Sequence, residues 1–148
     1  MNWFPILLVI HIALAVGLLL PSVVLPFLLR SAGGSPGPVA QLLLRLTGTG
    51  TLIIAAGLAI TGGGMLVLLG PELLAQPWLL VALALYAVNL VVAAAISRPN
   101  LRRLIGIRSA SSEAEWRQRA RRQRWIAYGM AAGIGVIGFL MSAKPQLW

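Results

Sequence analysis

Four long apolar runs dominate the chain, at about residues 3–29, 46–69, 77–97 and 125–143, and the polar residues gather in three stretches between them. A helix rises 1.5 Å per residue, so each run is long enough to cross a hydrocarbon core of about 30 Å. Inside a bilayer every backbone N–H and C=O must be satisfied by the chain itself, which leaves the α-helix as the spanning form for runs of this length. The pattern predicts an all-α membrane protein, a single unit over residues 1–148 built as a four-transmembrane-helix bundle.

The connections predict the details. Arg30-Ser31-Ala32-Gly33-Gly34-Ser35-Pro36-Gly37-Pro38 reads as a turn, after which residues 39–45 resume a helix that continues into the second span. Gly70 to Pro77 is a short second connection. The third opens at Arg98-Pro99, where proline is expected to stop the helix, and residues 99–111 read as a loop with a short helical turn. Ser112 and Glu115 then fit a capping box, with Ser112 as N-cap and Glu115 three residues on. Glu113 and Glu115 also suit the positive end of a helix dipole. One helix is therefore expected from about 113 to 143, its first turns lying on or beyond the membrane surface. Pro21 and Pro26 are expected to kink the first helix. Gly62-Gly63-Gly64 lacks the Lys-Ser/Thr of a phosphate loop and is expected to distort the second helix near its outer end.

Composition sharpens the picture. Of 148 residues 59% are hydrophobic and only 10% charged, where a soluble domain carries about 25%. The net charge of +9 is concentrated, since nine of the eleven arginines lie within residues 98–124. A basic block between apolar runs is a topology signal. It puts the first connection and the basic loop 98–124 in the cytoplasm and both termini outside, with the long final helix extending into the cytoplasm. The setting this implies is the bacterial cytoplasmic (inner) membrane, multi-pass. Aromatic rings prefer the two interfaces, and Trp3, Trp78 and Trp148 fall at the outer one, Phe27, Trp125 and Tyr128 at the inner one. The first run has no basic flank before it, so it is expected to be retained rather than cleaved as a signal peptide. Arg98, Arg102, Arg103, Arg117, Arg121 and Arg124 are candidates for contact with anionic lipid or an acidic partner surface. The expected partners are membrane lipids and other membrane protein subunits. With no aromatic platform interleaved among the arginines, nucleic acid is not expected.

The chemistry-bearing residues are few. With no cysteine, thiolate metal sites, disulfides and cysteine catalysis are excluded. His11 is the only histidine and lies about 12 Å inward from Trp3. An ionisable group at that depth invites a functional reading, as a ligand to haem or another tetrapyrrole or as a proton or quinone group. The favoured reading is a neutral imidazole hydrogen-bonded to a neighbouring helix, with Thr61 and Ser142 at comparable depth. Asn89 reads as a helix-packing amide that meets Gly17, Gly57 or the alanines around Ala131. Small residues four apart, Ala13/Gly17, Gly57/Thr61, Gly129/Gly133 and Gly138/Ser142, predict close helix approach. Met65 and Met141 share the outer half with His11, but methionine there reads as adaptable packing, so no metal site and no catalytic residue is assigned.

With these residues in view the chain resembles a family of small bacterial predicted integral membrane proteins of unknown function. The resemblance rests on the four-span plan, on Ile10-His11-Ile12-Ala13-Leu14-Ala15-Val16-Gly17, on Pro99-Asn100-Leu101-Arg102-Arg103, and on Gly138-Phe139-Leu140-Met141-Ser142-Ala143-Lys144-Pro145. The plan is also similar to four-helix protoporphyrinogen oxidase and to the membrane part of copper-resistance protein D. The former implies a first-span histidine and a terminal Lys-Pro, matched by His11 and Lys144-Pro145. Its third-span lysine has no counterpart after Trp78, where Leu79-Leu80-Val81-Ala82-Leu83 follows. The expected function is a non-catalytic accessory or assembly subunit of a larger membrane complex, with electron-transfer complexes as the candidate setting. The alternative is a small haem- or porphyrin-handling oxidoreductase using His11.

Overall fold

A computed structural model describes residues 3–31, 38–106 and 113–144. Among them the regular structure is all helix with no strand, and four helical rods are long and apolar enough to span a membrane. Helix α1 runs Phe4–Ser31, α2 Pro38–Arg45, α3 Thr51–Leu69, α4 Pro77–Val91, α5 Arg98–Gly106 and α6 Glu113–Ala143. Helix α1 packs against α3 on one flank and α6 on the other, and α6 packs against α4. The Tyr86 hydroxyl donates to the Ala55 carbonyl, which joins α4 to α3 and closes the four-sided bundle.

Two rods contain a widened turn. Helices α2 and α3 are continuous through a π-type turn at Leu46–Gly50, and α4 and α5 through another at Val92–Ser97. The backbone stays in the right-handed helical basin on both sides, with φ −67° and ψ −46° at Arg45 and φ −60° and ψ −47° at Arg98. Proline at position 99 therefore does not end the third rod. The Arg98 N–H bonds the Ala93 carbonyl, five residues back. A turn wound one residue wider relieves the clash between a proline ring and the preceding turn. The expected loop from residue 99 is thus helical to Gly106, and its remainder lies outside the described residues. The 62–64 glycines also depart from expectation: α3 is a regular helix through them, and the widened turn lies at its opposite end. Pro21 and Pro26 both sit inside α1, which continues to Ser31. The Ser22 side chain donates to the Leu18 carbonyl at 3.0 Å, adding a local bond beside the donors these prolines lack.

The opposite end of the bundle turns tightly. Gly70 adopts φ +98°, a conformation available to glycine and strained for other residues, and its N–H caps the Leu66 carbonyl at 3.0 Å. A short 3₁₀ turn, Pro71–Ala75, and extended Gln76 then lead into Pro77 at the start of α4. Trp78, Leu79, Ala82 and Leu140 form the core at this end.

The densest packing lies at the arginine-rich end. Leu25 and Leu29 of α1, Leu44 of α2, Leu101 and Leu104 of α5, and Trp116 and Ala120 of α6 form one buried cluster. Leu25 and Leu44 are fully buried, whereas most side chains of the spans face outward. Outward-facing Val and Ile are stable in hydrocarbon, which is as apolar as they are. At the arginine-rich end burial instead gathers residues of four helices into a compact cap. Helix α6 is 31 residues long, about 46 Å, of which Trp125–Ala143 suffices for the hydrocarbon core.

Candidate functional site

His11 lies in the seam between α1 and α3. Its Nδ1 is 2.8 Å from the Thr61 Oγ1, which in turn lies 2.8 Å from the Gly57 carbonyl and 3.2 Å from that of Leu58. Carbonyl oxygens only accept, so the Thr61 hydroxyl proton serves its own helix and the His11 Nδ1–H donates to the Thr61 oxygen. This assigns the neutral Nδ1–H tautomer from the hydrogen-bond network and leaves a lone pair on Nε2. Glycines let the two helices come close enough for the bond. A Cβ on Gly62 would sit 3.4 Å from the His11 ring, one on Gly57 3.1 Å from Leu14, and one on Gly64 3.4 Å from Leu7. Gly17 faces Ile54 in the same seam, at ordinary contact distance. Of the two polar side chains at His11's depth, Thr61 is its partner, and Ser142 is exposed.

Asn89 is on α4 and faces α6. Its Nδ2 donates to the Leu85 carbonyl at 3.1 Å, and its amide rests on Gly133, where a Cβ would overlap it. The neighbour of Asn89 is therefore Gly133, two residues beyond Ala131, so of the three helices left open by depth it is the last that meets the amide, through a glycine rather than an alanine. Beside it is a small void of about 20 Å³, lined by Leu18, Thr51, Ala55, Tyr86, Asn89 and Met130 among others. Its wall is almost wholly apolar, because the Thr51 and Tyr86 hydroxyls and the Asn89 Nδ2 are turned to the Thr47, Ala55 and Leu85 carbonyls, so the space is packing slack rather than a polar site. Gly129 differs from Gly133: among the described residues nothing outside its own helix turn lies within 4 Å of where its Cβ would be. The same is true of Gly135 and Gly138.

At the arginine-rich end a buried polar chain links α4–α5 to α6. Asn100 Nδ2 donates to Gln123 Oε1 at 3.0 Å, and Gln123 Nε2 donates to Ser97 Oγ at 2.8 Å. Asn100 also reaches the Arg119 carbonyl at 3.3 Å. Sequence reading missed this chain, although a signal existed. Trp116, Ala120, Gln123, Ala127 and Met130 follow one another at spacings of three and four and form the buried stripe of α6. The glutamine sits within the arginine run yet belongs to that stripe. Arg102, Arg103, Arg117 and Arg121 are exposed, Arg98 and Arg124 half-buried. Glu113 pairs with Arg117 at 3.2 Å and Glu115 with Arg119 at 2.8 Å. Glu115 thus binds the next turn of its own helix, and Ser112, its expected capping partner, lies outside the described residues.

A family model described as predicted integral membrane protein (DUF2269) matches residues 5–145, nearly the whole chain. The chain belongs to this family. Its description names a location and no activity. No curated protein and no solved structure matches the DUF2269 chain. Membership agrees with the four apolar helices and with the resemblance read from the first-span and terminal motifs.

Proposed function

We propose that this DUF2269 protein is a non-catalytic accessory or assembly subunit of a larger membrane complex, electron transfer being the candidate setting. One observation carries the reading. Helix α6 presents Gly129, Ala132 and Gly135 outward, three residues apart, and among the described residues nothing lies within 4 Å of where a Cβ on either glycine would be. Association in lipid depends on van der Waals packing, and small residues on an outer face allow a second helix to approach closely. Tyr128, Val136 and Phe139, all exposed, border this strip as flanking contacts. In the proposed orientation the arginine-rich end lies in the cytoplasm of a bacterial cell and the protein spans its inner membrane. The arginine distribution supports that orientation. Gly129→Leu and Gly135→Leu test the subunit reading. A Cβ at either position meets open space among the described residues, and leucine is the better helix former, so the isolated protein should melt no lower than wild type. Native mass spectrometry of gently solubilised membranes should nevertheless show stoichiometric partners lost from the double variant. Partners retained in full would remove the subunit reading.

A second reading is supported by the His11 seam. Metal-ligating histidines ordinarily donate one ring N–H to a neighbour, which fixes the ring and presents the other nitrogen. His11 donates in this way to Thr61. In a small tetrapyrrole-handling oxidoreductase its Nε2 would be the iron or magnesium ligand. His11→Gln and His11→Leu both remove that nitrogen. A Soret-region band that co-purifies with wild type and vanishes in both variants would establish this reading. As a packing residue, His11 should tolerate glutamine and lose only about 0.6 kcal/mol with leucine.

A further inference from the structure

Two tiers of arginine emerge from the helix geometry. Measured along α6 inward from Trp125, Arg124, Arg122 and Arg121 lie within about 6 Å, while Arg119 and Arg117 lie about 9 and 12 Å out. Along the third rod Arg98 directly follows Ser97, whereas Arg102 and Arg103 lie about 7.5 and 9 Å beyond it. The headgroup layer is about 5 to 7.5 Å deep on each face of a bilayer. With the hydrocarbon edge placed at Trp125 and Ser97, one tier, including Arg30 and Arg45 at the ends of α1 and α2, falls at headgroup depth, and the other falls at or beyond the outer limit of that layer.

The carboxylates are distributed unevenly between the tiers. The chain has only three acidic side chains. Glu113 and Glu115 neutralise Arg117 and Arg119 in the outlying tier, and Glu72 belongs to the turn at the opposite end. No acidic side chain serves the headgroup tier. Arg121 and Arg124 each precede an exposed aromatic by one turn, Trp125 and Tyr128, which stack edge to face at 6.4 Å. Such rings settle at the headgroup level of a bilayer.

We propose that the rim formed by Arg98, Arg121, Arg122 and Arg124 binds the phosphates of anionic phospholipids, which act as the counter-ions the chain lacks there. The occupant is lipid rather than an acidic protein, because the unneutralised charge is at headgroup depth and an aromatic pair adjoins it.

The full-length protein is reconstituted in phosphatidylcholine containing roughly one fifth spin-labelled phosphatidylglycerol, and the preference for the labelled lipid is read from the motionally restricted fraction. Two variants remove equal charge: Arg121→Gln/Arg122→Gln/Arg124→Gln from the rim, and Arg102→Gln/Arg103→Gln/Arg117→Gln from the tip. Each rim arginine is expected to account for about fivefold in preference, equivalent to roughly 1 kcal/mol. The rim variant should thus lose most of the preference and the tip variant little. Equal loss in both variants, loss only in the tip variant, or no preference in wild type overturns the proposal. If the rim variant fails to fold, wild type decides: raising salt from about 0.05 M to about 0.5 M should weaken the preference by screening. A preference indifferent to salt also overturns it.

Discussion

At the scale of single residues, Asn89 and Gly133 illustrate how a membrane bundle fixes its packing. The amide lies where only a missing Cβ leaves room. Gly133→Ala is expected to push Asn89 off the Leu85 carbonyl and destabilise the fold by about 1 to 3 kcal/mol, as overpacking of a tight site does. Asn89→Ala in the same chain should recover most of that loss, so a double-mutant cycle by thermal melting checks the contact; additive losses would refute it. A residue of this kind was partly legible beforehand. Depth along a span brought Asn89 level with several glycines and alanines, but depth alone does not fix rotation about the helix axis. Gly129 and Gly133 share a spacing motif, yet one packs on Asn89 and the other faces outward. His11 was easier, because only two polar side chains lay at its depth.

At the scale of elements, the widened turns carry the information that hydropathy does not. A π-type turn is in effect one extra residue wound into the helix, and it rotates everything beyond it by about 100°. The turn at Val92–Ser97 sets the face on which α5 presents Leu101 and Leu104 to the cluster with Trp116. Deleting Ala95 should return the rod to regular winding and rotate both leucines out of that cluster, lowering the melting temperature clearly. Adding Pro99→Ala should not restore it, since the fault would be rotation rather than the ring. A melt rescued by that second change would show that the proline alone demands the turn. Sequence reading located the apolar runs because length and hydrophobicity report transfer into lipid. It missed the helix beyond Pro99 because a proline signals a local steric conflict, and a widened preceding turn removes that conflict. The 113–143 helix was legible because Glu113 and Glu115 mark its beginning and nothing from Trp116 to Trp125 interrupts it. Ala120→Pro should break it at a cost of roughly 3 kcal/mol. Amide exchange that finds residues 113–124 unprotected in wild type would contradict that helix.

At the scale of the whole molecule, the deepest burial is concentrated at one end. Leu25, Leu44, Leu101, Leu104 and Gln123 are the most deeply enclosed large side chains, along with Pro26. All but the α1 residues lie among or beside the arginines that read simply as a topology signal. The basic segment is therefore also a packed cap, a point that charge counting does not reach because its buried positions are spread over four helices. The proposed orientation is open to direct test, since the chain has no cysteine to confuse labelling. Glu72→Cys and Arg102→Cys both sit at exposed positions. In intact cells an impermeant maleimide should modify position 72 and spare position 102. The reverse pattern would invert the topology, and modification of both would contradict a single orientation.

The position of α6 between α1 and α4 also sets an order of events during synthesis. Helix α1 emerges first, yet one of its flanks waits for the last helix, and α4 likewise meets its principal neighbour only then. Until α6 leaves the ribosome, the nascent protein is an open three-rod intermediate whose Asn89 amide has no Gly133 to rest on. A chain halted before residue 113 should remain in that state and be cleared by membrane proteases, whereas one halted after residue 143 should persist. Pulse-chase half-lives of the two truncations measure how far the final helix acts as the latch of biogenesis.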